Sequence, residues 1–135
     1  MVTSAFEYFA PASISEVTSL LAKYRDEAKI LAGGHSLLPA MKLRLTEPKY
    51  LIDLGQIKEL SYIREEDGYL AIGAMTSYYD IESSDLIRRY APVLAEAASK
   101  VADIQIRNAG TIGGSLSHAD PAGDLPAVAL ALGAQ

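Results

Sequence analysis

The 135-residue sequence has no cysteine, no tryptophan, only two phenylalanines and only two histidines. Without cysteine these residues can form no disulfide, thiolate nucleophile, ordinary structural zinc site or cysteine-ligated iron-sulfur cluster. No stretch approaches the roughly 20 apolar residues that span a bilayer. The opening "MVTSAFEYFAP" lacks the basic and apolar regions of a secretory leader, so the cytoplasm is the expected location. A basic excess is missing too: 12 Lys and Arg against 17 Asp and Glu leave a net charge of -5. Arg88-Arg89 is the one adjacent basic pair, so no face for nucleic acid is advertised. A phosphate-bearing ligand would have to be held mostly by backbone. Both standard nucleotide fingerprints, G-x-x-x-x-G-K-[ST] and G-x-G-x-x-G, are absent, which leaves a P-loop or a Rossmann site unsupported.

What is present is a chain half hydrophobic, enough for one domain or two small ones. "FEYFAP" reads as a short strand. Ile14, Val17, Leu20, Leu21 and Tyr24 then recur at helical spacing behind Ser13 and Glu16, an S-x-x-E capping box. "KILAGG" and "KYLIDLG" read as buried strands, and "SLLPAMKLRL" between them as a short helix with Ser36 placed to cap it. That order suggests a small parallel sheet with helices against it. From Ile57 the character changes: "LSYIREEDGYLAIGA" reads as two strands joined at Asp67-Gly68, a hairpin signal. A boundary is placed near Gly55, dividing residues 1–55 from 56–135. "TSYYDIESSDLIRRY" and "APVLAEAASKVA" follow as helices, with Tyr78-Tyr79 and Arg88-Arg89 expected at surface and edge. About twenty residues from Asp103 show little regular pattern, and "LPAVALALGAQ" closes as a helix with Asp124 as its cap. Its apolar faces and a second sheet of only two evident strands point to a fragment of something longer.

Two glycine pairs carry the candidate chemistry. Pyrophosphate needs converging N–H donors, which a backbone free of Cβ obstruction can bring close. Gly33-Gly34 follows a strand in "AGGHS", and Gly113-Gly114 lies among the hydroxyls of Thr111, Ser115 and Ser117. If the two loops meet they clamp a diphosphate, and Asp124 is then placed to accept from a ribose or ribityl hydroxyl. Other readings of the same residues are plain turns, a helix cap at Asp124, and a metal or hydrolase cluster of His118, Asp120 and Asp124. No G-x-S-x-G elbow supports Ser115 or Ser117 as a nucleophile.

Taken together, "LAGGHSLLPAMKLRL" and "RNAGTIGGSLSHADPAGDLPAVALAL" resemble the FAD-binding medium subunit of the carbon monoxide dehydrogenase and xanthine dehydrogenase family of molybdenum hydroxylases. "FEYFAPASISEV", "YLIDLGQIKEL" and "LAIGAMTSYYDIE" match the same pattern, so the resemblance covers essentially the whole chain. It implies an α+β fold of the vanillyl-alcohol-oxidase type, a small α/β subdomain followed by an incomplete second α+β subdomain. A third, C-terminal subdomain that contacts the isoalloxazine ring lies outside these residues. It implies FAD contacts at Ala32, Gly33, Gly34, His35 and Ser36, at Thr111, Ile112, Gly113, Gly114 and Ser115, and at Asp124. Ser115 stands where the family usually carries asparagine, a shorter reach for one polar contact.

The function implied is electron transfer. In the family, substrate is oxidised at a molybdopterin centre on a large subunit and electrons cross 2Fe-2S clusters on a small subunit. FAD on the medium subunit then delivers them to an external acceptor. No residue here then needs to be a catalytic acid, base or nucleophile, and substrate choice belongs to the large subunit. The rival is a truncated module that associates with partner subunits and binds no flavin.

Overall fold

The computed structural model describes residues 2–135. Its contacts divide the chain into two compact units, Met1–Lys58 and Glu59–Gln135.

In the first unit, β1 (Glu7–Phe9), β2 (Ala28–Leu31) and β3 (Tyr50–Asp53) form a wholly parallel sheet in the order β1-β3-β2. Tyr8 lies opposite Leu51, and Leu31 opposite Asp53. Successive residues on a strand point to opposite faces, and Leu51 and Ile52 are both buried, so the central strand is covered on both sides. Helix α1 (Ile14–Tyr24) buries Val17, and its last residue stacks on the sheet, with Tyr24 3.8 Å from Tyr50 and 5.5 Å from Phe9 between ring centroids. Its start is the expected cap with one shift: Ser13 Oγ accepts from Glu16 N at 3.3 Å, while the Glu16 carboxylate reaches Ala12 N at 2.9 Å rather than the amide of Ser13. Helix α2 (Leu37–Lys42) buries Met41.

In the second unit, β4 (Ile63–Glu66) and β5 (Tyr69–Ile72) form the expected antiparallel hairpin, with Asp67 and Gly68 both at positive φ as a tight primed turn requires. The single helix expected over residues 76–90 is two: α3 (Tyr78–Ser83) and α4 (Asp85–Tyr90). Ser84 divides them because its extended backbone lets its hydroxyl accept from Ile87 N and start a new helix. Helix α5 (Pro92–Lys100) packs against α3, α4 and α8 (Asp124–Ala131), and Ile81, Ile87, Leu94, Ala98 and Leu125 form the core between them. Tyr78, expected at the surface, is buried in this core.

The segment from Asp103 departs most from expectation. Instead of an irregular run it contains α6 (Ile104–Ala109) and α7 (Ile112–His118), capped by the side chains of Asp103 and Thr111. Arg107 ties α6 to α3 through an ion pair with Glu82 at 3.0 Å, both side chains less than one-fifth exposed. Its Nη1 also donates to the carbonyls of Val101 and Ala102. Among the described residues no helix is long and apolar enough to cross a membrane.

Candidate functional site

The first glycine loop, Ala32 to Ser36, leaves the carboxyl end of β2 and enters α2. Open parallel sheets bind nucleotides outside the carboxyl ends of their strands. Gly34 makes the turn at φ +77, a conformation strained for an L side chain, and a Cβ there would lie 3.0 Å from Leu38 Cδ1. The carbonyls point into the helix: Gly34 O accepts from Leu38 N at 2.9 Å and Ser36 O from Ala40 N at 3.2 Å. The amides do not. Among the described residues, the N–H groups of Gly33, Gly34, His35, Ser36 and Leu37 have no acceptor within the protein.

Ser36 does not cap α2, contrary to expectation. Its backbone is already helical (φ -105, ψ -46), and a cap needs an extended residue to turn its oxygen onto the following amides. Its hydroxyl therefore stays available, and both Ser36 and His35 are exposed. Nearby, Asp53 closes the carboxyl ends of β1 and β3 by accepting the Tyr8 hydroxyl on Oδ2 and Gly55 N on Oδ1 at 2.8 Å. The hydrogen bond to that carboxylate, then partial burial and its negative charge, hold the Tyr8 phenol above its ordinary pKa. The unspent amides of the turn, unobstructed by a Cβ at Gly34, fit the diphosphate of a dinucleotide.

The second glycine segment is built differently. Thr111 is buried, with its hydroxyl accepting from Gly114 N at 3.2 Å and its carbonyl from Ser115 N at 3.0 Å. Ile112 N donates to Thr76 O at 3.1 Å, and Gly113 N to Ala74 O at 2.9 Å. All four amides from Ile112 to Ser115 are thus spent inside the protein. Gly113 is needed for close approach: a Cβ there would lie 2.6 Å from both the Cβ and the carbonyl oxygen of Ala74. What the segment leaves for a ligand is the half-buried hydroxyl of Ser115 and the glycine surface beside it.

Asp124 is the first residue of α8, not its cap; Gly123 holds the cap position and no side chain caps the helix. The Asp124 carboxylate is exposed and has no hydrogen-bond partner among the described residues. Of the residues in the metal or hydrolase alternative, Asp120 is engaged with Ala122 N in a turn, and no group of three or more His, Cys, Asp or Glu that could hold a metal ion occurs among the described residues. Sequence reading missed Ala74, Thr76 and Tyr78, the residues against which the second segment is laid. The one available signal is the string of small and hydroxyl residues in "GAMTS".

Comparisons with known proteins identify the family and the fold. Residues 4–135 match the family described as the FAD binding domain in molybdopterin dehydrogenase. The chain is 50% identical over 132 residues to the carbon monoxide dehydrogenase medium chain of Hydrogenophaga pseudoflava, covering 98% of this chain and 46% of that one. It is 44% identical over 134 residues to the corresponding medium chain of Afipia carboxidovorans, covering 99% and 46%. The solved structure of the Hydrogenophaga pseudoflava carbon monoxide dehydrogenase lacking the Mo-pyranopterin moiety superposes with a TM-score of 0.95 at 51% identity, over 97% of this chain and 46% of that one. The chain therefore spans about half the length of the curated relatives it matches. A parallel α/β unit carrying an open glycine turn, an α+β unit carrying a closed one, and a family match over nearly every residue lead to one assignment: the chain belongs to the FAD-binding domains of the molybdopterin dehydrogenase family.

Proposed function

We propose that this chain binds FAD through Ala32, Gly33, Gly34, His35 and Ser36, with Thr111, Ile112, Gly113, Gly114, Ser115 and Asp124 contributing the second set of contacts. The observation that carries the reading is the row of amides from Gly33 to Leu37 without an acceptor among the described residues. Hydrogen bonds from such donors to an ionised oxygen are worth about 1.5–3 kcal/mol each. In a chain with a net charge of -5 they can hold a diphosphate without a cluster of basic side chains. Ser36 adds a free hydroxyl to the same turn. The Ser115 hydroxyl and the Asp124 carboxylate suit the neutral, hydroxyl-bearing parts of the dinucleotide.

When bound, FAD supplies the redox chemistry, and the chain's part is to hold and orient it. The wider role is that of an electron-transfer subunit in a molybdenum hydroxylase, receiving electrons from 2Fe-2S clusters and passing them through FAD to an external acceptor. These 135 residues contain no cysteine, so thiolate-ligated clusters would be carried elsewhere, with the molybdopterin centre, on partner subunits. The expected cellular location is the cytoplasm.

Titration of the full chain with FAD, followed by flavin fluorescence, tests the binding step. The wild-type protein is expected to bind, and Gly33→Val, at a glycine whose φ is not positive, to weaken binding by about 10–100-fold through obstruction of the amides. Absence of binding by the wild type would favour a subunit-interaction module without flavin.

A further inference from the structure

We propose that residues 74–77 are the template that shapes the segment from Thr111 to Ser115, and that Thr76 is the positioning residue through which the template acts on flavin binding. The inference rests on the reading of that segment as part of the FAD site. Thr76 is 1% exposed, and its hydroxyl serves both backbone groups of one residue, donating to Tyr62 O at 3.0 Å and accepting from Tyr62 N at 3.2 Å. Its own carbonyl accepts from Ile112 N, the first amide of α7. One side chain and its backbone thus join the entrance of the β4-β5 hairpin to the start of the second glycine segment.

The flanking residues continue the same contact. Ala74 O accepts from Gly113 N, Ser77 forms an isolated antiparallel bridge with Thr111, and Tyr78 N donates to Gly110 O at 3.1 Å. Glycine occurs where the two stretches come closest: a Cβ on Gly110 would lie 2.6 Å from the Tyr78 ring, and one on Gly113 would strike Ala74. A seven-residue helix with two glycines in its first turn has too little intrinsic stability to hold its own shape. The shape is imposed from residues 74–77, and Thr76 is fixed in turn by a short-armed hydroxyl that both donates and accepts, which serine also supplies and cysteine only weakly.

The test uses the full chain carrying Thr76→Val, which keeps the branched shape but removes both hydroxyl bonds, and Thr76→Ser, which keeps them. Thr76→Cys, with a weaker partner atom, provides a graded case should valine prevent folding. Ile87→Val, in the hydrophobic core of the same unit but without a hydrogen bond to residues 110–115, is the control for general loss of stability. Amide hydrogen exchange without FAD and FAD affinity are both measured. Thr76→Val is expected to speed exchange of the Ile112 and Gly113 amides by about tenfold beyond the control and to weaken FAD by a similar factor. Thr76→Ser returns both to within about threefold of wild type, and Thr76→Cys falls between. Exchange at Ile112 and Gly113 that moves no more than in Ile87→Val, or an FAD affinity unaffected by Thr76→Val, overturns the role of Thr76. Wild-type protein that binds no FAD contradicts the underlying reading of the site, whatever the exchange shows.

Discussion

Two Gly-Gly pairs occupy this chain, and they are glycine for opposite reasons. At Gly34 the requirement is conformational: a turn through φ +77 follows a parallel strand, and among the described residues the five amides from Gly33 to Leu37 have no acceptor. At Gly113 the requirement is steric: the backbone lies against Ala74, and every amide from Ile112 to Ser115 already has a partner. A glycine-rich turn therefore signals exposed donors only where the fold has not spent them. The first pair offers its backbone to a ligand, whereas the second offers a surface shaped by what lies behind it.

Substitutions that add one methyl group break this comparison most sharply. Gly113→Ala forces a Cβ onto a backbone oxygen that cannot swing aside, and we expect a loss of about 2–3 kcal/mol in the urea unfolding of the second unit. Unchanged stability would show that the close approach to Ala74 is relaxed in solution. Gly34→Ala strains a left-handed backbone, and its contact is with the movable end of Leu38, so about 1–2 kcal/mol is expected from the first unit.

The hydroxyls sharpen the contrast at smaller scale. Thr111→Val removes a real cap and should cost about 1 kcal/mol, while Ser36→Ala removes no cap and should stay within about 0.5 kcal/mol. Thermal unfolding of the two variants side by side decides the matter, since equal losses would mean that Ser36 caps α2 after all. The smallest effect concerns acid. Hydrogen bonds from Ser4 and then Arg44 hold the Glu47 carboxyl below its ordinary pKa. The stability this confers is present above the unfolded-state pKa and lost as pH falls through the lowered one. Glu47→Gln should therefore lower stability slightly at neutral pH and leave it unchanged in acid, flattening the acid limb of the stability curve, whereas a loss that persists undiminished at low pH would contradict the assignment.

The same contrast explains what could be read from sequence. The parallel sheet, α1 and the hairpin were legible because their signals are local: alternating or helical apolar spacing, a capping box, and Asp-Gly at a turn. So was the position of the first glycine loop, which follows the strand β2 within two residues. Helix α7 was not legible, because a helix begun by Ile112-Gly113-Gly114 is disfavoured by its own residues and exists through bonds to Ala74 and Thr76, nearly forty positions earlier. Tyr78 and Ser84 misled for a related reason. A tyrosine reads equally well on a surface or in a core, and one extended residue between two short helices leaves the apolar spacing intact. Caps were the least secure: Ser36 holds the cap position of α2 but its side chain caps no amide, and Asp124 stands one residue inside α8.

The central claim, that one loop keeps its amides for a ligand and the other spends them on the fold, is tested most directly by residue-resolved amide exchange with and without FAD. Without FAD, the amides from Gly33 to Leu37 should exchange rapidly and those from Ile112 to Ser115 slowly; adding FAD should protect the first group. Slow exchange at Gly33 and Gly34 before FAD is added, or no protection there once FAD is bound, would contradict the account.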